Sequence, residues 1–104
     1  MCEVSGEVEL DKLIRVLHML ANPIRLKMLA LIAVKPRHAY ELSKLLNLSY
    51  PLTHIHLRAM ERAGLVEGSY IEEARVKRVY QLKNVHLVIN PETLRKLGEK
   101  LGGE

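Results

Sequence analysis

Residues 48–66, LSYPLTHIHLRAMERAGLV, constrain the fold of this chain more than any other stretch. Thr53, His56 or Leu57, Met60 and Ala63 recur at intervals of three and four, which gives a helix one packed side. Tyr50, His54 and Arg58 fall on another side, and Glu61 or Arg62 lies near them. Ser49 is a good N-cap, because its hydroxyl can accept a free backbone N–H of the first turn. Gly64 stops the helix, and the short apolar run after it can begin a strand. Immediately before lies AYELSKLLN, a short helix over 39–46 with Leu42, Leu45 and Leu46 turned inward. Asn47 can end that helix, since asparagine tolerates the left-handed conformation.

The rest of the chain supplies elements that can cover this pair. A first helix is expected over residues 8–20, where Leu10, Leu13, Ile14, Leu17 and Leu20 make an apolar stripe widened by Val16 and Met19. That is more apolar surface than a small domain needs to cover on one helix, so a second subunit is a natural partner for part of it. Asn22-Pro23 then marks a helix start, because proline at the first helical position loses no helical hydrogen bond. The helix over 23–34 is apolar around much of its girth and is the expected central core helix, although Arg25 and Lys27 oppose the dipole at its start. Lys35-Pro36-Arg37 breaks it. Residues 65–70 and 76–82 have strand propensity and hairpin spacing, with Val76, Tyr80 and Leu82 alternating with Lys77, Gln81 and Lys83 across a charged EEAR loop. Val85, Leu87 and Ile89 suggest a further short strand. Asn90-Pro91 repeats the cap-and-proline signal and opens a last helix over 91–101, expected to bury Leu94, Leu97 and Leu101.

Two short helices joined through residues 47–49 make a helix-turn-helix, whose second helix enters a DNA major groove. The expected fold is α+β: a mainly helical winged helix-turn-helix with a β-hairpin wing and a C-terminal helix. With 104 residues the chain makes one domain, 1–104. No apolar run approaches the roughly 20 residues that span a bilayer, and acids stand where a secretory signal would carry bases. The single Cys2 forms no internal disulfide, so a cytoplasmic protein with no membrane partner is expected. The formal charge of +4 is unevenly spread: residues 35–64 hold five bases and two acids, whereas 84–104 balance at three each. A polyanion selects that pattern, and dimerisation would double the charge offered to one duplex.

Three segments, in this order, resemble the ArsR-like transcription regulators of bacteria and archaea. They are LHMLANPIRLKMLALI at 17–32, ELSKLLNLSYPLTHIHLRAMERAGLV at 41–66, and RVYQL at 78–82. The resemblance covers roughly residues 10–83. It implies a sequence-specific regulator of transcription that binds double-stranded DNA as a homodimer, acting as a repressor and paired through the first and last helices, here residues 8–20 and 91–101. The family's recognition helix typically carries small polar residues and a histidine where this chain has Leu52, His54, Ile55 and His56. The cysteine-pair metal box of some relatives is absent, as are the histidines of their last helix.

Arg58 is the leading candidate for function, because a guanidinium can bind guanine edges bidentately or sit on a phosphate. Ser49 and Tyr50 lie at a helix N-terminus, where backbone N–H groups favour phosphate, although Ser49 is equally well only a cap. Leu52, His54 and Ile55 complete the candidate base-facing set, with His56 on the packed side. Arg75, Lys77 and Arg78 belong to the wing, where they can lie against phosphates, while Glu72 and Glu73 at the same tip oppose that. Tyr80 is expected to pack against the helices. His54 and His56 are two apart and point differently, whereas helical metal pairs use three or four, so neither metal nor cofactor is expected. Nothing supplies a nucleophile motif or a phosphate loop, and the chain reads as no enzyme. Two alternatives stay open: a protein-interaction winged helix without DNA binding, and a repressor answering a metal or an unidentified small molecule.

Overall fold

The computed structural model describes residues 2–4, 10–72, 76–83 and 85–103, and the side chains of these except in 2–4, 71–77 and 85–86. In chain order the elements are β1 (Cys2–Val4), α1 (Leu10–Leu20), α2 (Pro23–Val34), β2 (Arg37–His38), α3 (Ala39–Leu46), α4 (Tyr50–Arg62), β3 (Val66–Glu72), β4 (Val76–Leu82), β5 (Val85–Leu87) and α5 (Pro91–Lys100). The expected start of the first helix at residue 8 lies outside the described residues.

Local chemistry sets the helix ends. Asn22 Oδ1 accepts from the N–H groups of Ile24 and Arg25 at 2.9 and 3.3 Å, and Pro23 follows at the first helical position. Asn47 closes α3 at φ 55° and ψ 50°, the left-handed conformation it was expected to take. Ser49 Oγ accepts from Leu52 N–H at 3.2 Å, and Gly64, at φ 80°, turns the chain out of α4 into the sheet. Asn90 and Thr93 form a reciprocal capping box at the start of α5.

β3 and β4 form an antiparallel hairpin with Val66 opposite Leu82 and Glu72 opposite Val76. β3 starts one residue later than expected and runs two residues further, because Ile71 and Glu72 still find ladder partners. Arg37–His38 adds a third strand on the far side of β4, where only a break in the helical pattern was expected. The last short strand stops at Leu87 rather than reaching Ile89, and it pairs in parallel with Cys2–Val4 in a separate two-stranded sheet.

One core lies between α2, α3, α4 and the hairpin. Met28, Leu42, Leu57, Met60, Leu65 and Val66 are each fully buried, with Val16, Ile32 and Tyr80 beside them. Tyr80 thus packs against the helices as expected. Burial along the helices is uneven, and it corrects the expectations for Leu45 and for the last helix. Val16, 2% exposed, is the buried residue of α1, and Leu13, Met19 and Leu20 pack partly against the core, while Leu10, Ile14 and Leu17 lie outside it at 41%, 53% and 37%. Leu45 is exposed because α3 turns only its Ala39–Leu42–Ser43 side inward. α5 buries no residue at all: Leu94 and Leu101 are exposed, and Leu97 is only half-buried. The cause is position, since α5 stands away from the core. The radius of gyration is 16.2 Å, against about 13 Å for a compact chain of this length.

Candidate nucleic-acid interface

α4 is anchored by one side and open on the other. Thr53, His56, Leu57 and Met60 are buried, and the Thr53 hydroxyl donates to the Ser49 carbonyl at 2.9 Å. Pro51, Ile55, Arg58 and Arg62, spaced at four, three and four, are all exposed on the opposite side. Arg58 makes no hydrogen bond or ion pair with any described residue, so its guanidinium is available. Leu52 and Ile55 are 37% and 62% exposed, unusual positions for two aliphatic side chains on a helix this well anchored.

On the flank toward the wing, the rings of Tyr50 and His54 meet edge-on at 4.6 Å. Nδ1 of His54 is buried with no hydrogen-bond partner among the described residues. Burial, and then the charges of Arg58 and Arg78, hold the His54 pKa below the usual histidine range. The imidazole therefore stays neutral, which suits hydrogen bonding to a base edge more than charge neutralisation of a phosphate.

Arg78 is engaged within the fold. It donates from Nη2 to Glu61 Oε2 on α4, and its guanidinium lies over the rings of Tyr70 and Tyr80 at 5.7 and 5.4 Å. Gly68, on the neighbouring strand, makes room for it: a Cβ at that position would collide with the Arg78 guanidinium. Arg78 thus braces the hairpin against the recognition helix. Lys77 pairs through its backbone with Ile71, and its side chain lies outside the described part, as does all of Arg75. Sequence reasoning placed the bases of the wing but missed Glu61 and Gly68 as partners of Arg78. No spacing rule links residues 61, 68 and 78, because only the packing of α4 beside the hairpin brings them together.

A second tie holds α4 to α2. Arg25 Nε donates to Nδ1 of the buried His56 at 3.2 Å. This gives Arg25 a structural use at a helix start where the dipole disfavours it. Burial and then the Arg25 charge push the His56 pKa down. The folded protein thus resists protonation of His54 and His56, whereas the unfolded chain takes up protons near the ordinary value of 6.5. Stability from these residues is complete above about pH 6.5 and is lost as pH falls below it. We expect thermal melts followed by circular dichroism to give a flat melting temperature from pH 8 to 7 and a falling one toward pH 5.5. In His56→Gln, which retains an acceptor for Arg25, the fall should be shallower; an equal slope would remove His56 from this role.

Among the described residues no group of histidine, cysteine and acidic side chains is arranged to hold a metal ion. No single helix among them is long and apolar enough to cross a membrane.

A three-helix core with its helix-turn-helix at α3–α4, followed by a braced hairpin, defines a winged helix-turn-helix protein. Residues 22–68 match the family described as bacterial regulatory protein, arsR family. An uncharacterised helix-turn-helix-type transcriptional regulator of Methanocaldococcus jannaschii is 44% identical over 92 residues, covering 85% of this chain and 97% of that protein. The chain belongs to the ArsR family of winged helix-turn-helix regulators. Among solved structures, reduced HlyU of Vibrio cholerae is 26% identical with a TM-score of 0.63 and covers 88% of each chain. A homodimeric winged helix-turn-helix DNA-binding domain of Mycobacterium bovis, a possible ArsR-family regulator, is 24% identical with a TM-score of 0.62, covering 89% of this chain and 78% of that one.

Proposed function

We propose that this chain is a homodimeric repressor that binds double-stranded DNA sequence-specifically through α4. The observation that carries this reading is the outward side of α4, where Ile55 and Arg58 stand exposed on a helix whose other side is fixed in the core. Two such helices in a dimer would enter successive major grooves about 34 Å apart on a pseudo-palindromic site. Bound there, the dimer represses by excluding polymerase.

The roles divide by chemistry. Arg58 addresses a guanine edge. Leu52 and Ile55 address the C5-methyl groups of thymine, the apolar feature of the major groove. His54 offers a neutral hydrogen-bonding edge beside them. Ser49 and Tyr50, at the start of α4, and Lys77 and Arg75 of the wing take phosphates, which fix register without reading sequence. Arg78 acts at one remove, by holding the wing to α4. The half-site should therefore pair a guanine with adjacent thymines.

Selection of bound duplexes from a random pool tests the reading and yields a site. In that site, thymines are then replaced one at a time by deoxyuracil, which removes the methyl and leaves every hydrogen-bonding group in place. Loss of one buried methyl is worth about 0.8 kcal/mol, so affinity should fall about fourfold at a contacted position. In Ile55→Ala the same replacement should cost nothing at the position Ile55 reads. Recovery of no preferred duplex would end the DNA-binding reading; a preferred duplex indifferent to uracil would end the methyl contacts alone.

A further inference from the structure

α1 and the last turn of α4 face each other across an open cavity of about 610 Å³. The volume is within the usual range for a site that takes a small organic molecule. Ala59 and Ala63, at the end of α4, are too small to fill the gap beneath α1, and Arg62 stands at its margin. Val16 and Met19 complete an apolar floor. Around that floor stand four basic side chains, Lys12, Arg15 and His18 from α1 and Arg62 from α4, and no carboxylate among the described residues lines the cavity. None of the four forms a hydrogen bond or ion pair with a described residue.

We propose that this cavity binds a small amphipathic organic anion, its carboxylate held by Arg15 and Arg62 and its apolar body laid on Val16, Met19, Ala59 and Ala63. Charge selects the sign of the ligand, and guanidinium groups from two helices suit a carboxylate in particular. The floor selects a ligand with an apolar body over a bare inorganic anion. The cavity is also separate from the subunit contact proposed for α1. Lys12, Arg15 and Met19 run along one edge of that helix, and the exposed Leu10–Ile14–Leu17 stripe runs along another; Ile14 alone borders both. An occupant would tie α1 to the C-terminal turn of α4, so any effect on operator affinity depends on the DNA-binding reading, whereas binding itself does not.

Decanoate, kept below its micellar concentration, is the probe, titrated into the full chain while backbone amide shifts are recorded. We expect saturable binding with a dissociation constant of about 10 to 1,000 µM. The shifts should centre on residues 12–19 and 59–63. Decyltrimethylammonium, of equal apolar length and opposite charge, should give no such shifts. Arg15→Gln combined with Arg62→Gln alters two exposed side chains and should leave the melting temperature in place while weakening decanoate about tenfold, equivalent to about 1.4 kcal/mol. Any of four results would overturn the proposal: no saturable decanoate binding, equal binding of the cation, shifts centred on α5 instead, or unchanged affinity in the folded double variant. Closure of the cavity by a second copy, seen as cross-links between Arg62-side residues of one protomer and its partner, would overturn it as well.

Discussion

The unaltered protein should sediment as a dimer, and Leu94→Glu combined with Leu101→Glu should yield a folded chain that sediments as a monomer at the same concentration. These leucines, on α5 and at its C-cap, are 53% and 70% exposed, and Leu10, Ile14 and Leu17 of α1 are similarly uncovered. Full burial of one such side chain is worth about 1.5–3 kcal/mol, so a shared interface built from them can hold two protomers together. A carboxylate placed in it gains nothing and has to be desolvated. Because α5 contributes no buried residue to the core, the winged domain should keep its far-ultraviolet spectrum. DNA affinity should fall by about 10²–10⁴, since the second half-site would no longer be engaged at high effective concentration. Sedimentation equilibrium decides the matter: a double variant that remains a dimer would show that the subunits meet elsewhere.

Leu57→Ala and Ile55→Ala should differ sharply although the residues are two apart on one helix. Leu57 is fully buried, while Ile55 is 62% exposed. Removing Leu57 leaves a cavity in the core it shares with Met28, Leu42 and Met60 and should cost about 2–5 kcal/mol of stability. Ile55→Ala should change stability by no more than about 0.5 kcal/mol, since few contacts are lost in the free protein. Denaturant unfolding at matched protein concentration reads both. A large loss in Ile55→Ala would place that side chain in the fold and withdraw it from the groove.

The contrast between these two positions shows what was readable in the sequence. Helix ends were legible because their causes are local: Asn22, Asn47, Ser49 and Asn90 each satisfy backbone groups within a few residues of themselves. The packed and open sides of α4 were legible because helical period fixes them once one side is apolar. The burial of leucines in α5 was not, because an amphipathic helix looks alike in sequence whether its cover is its own core or a second chain. Leu45 misled for a related reason, its leucine neighbours in α3 pointing inward while it points out. The parallel pairing of Cys2–Val4 with Val85–Leu87 joins residues too distant for any pattern to connect. The role of Arg78 was hidden likewise: a base in a wing reads as a phosphate contact until its neighbours across the sheet are known.

The guanidinium of Arg78 occupies the space that any side chain at Gly68 would need. Positions 61, 68 and 78 therefore meet at one point, although they are spread over a helix and two strands. A side chain at residue 68 would push the flexible arginine off this seat, and its ion pair with Glu61 and its place over Tyr70 and Tyr80 would be lost with it. The smallness of residue 68 thus serves a side chain ten residues away rather than any need of its own backbone.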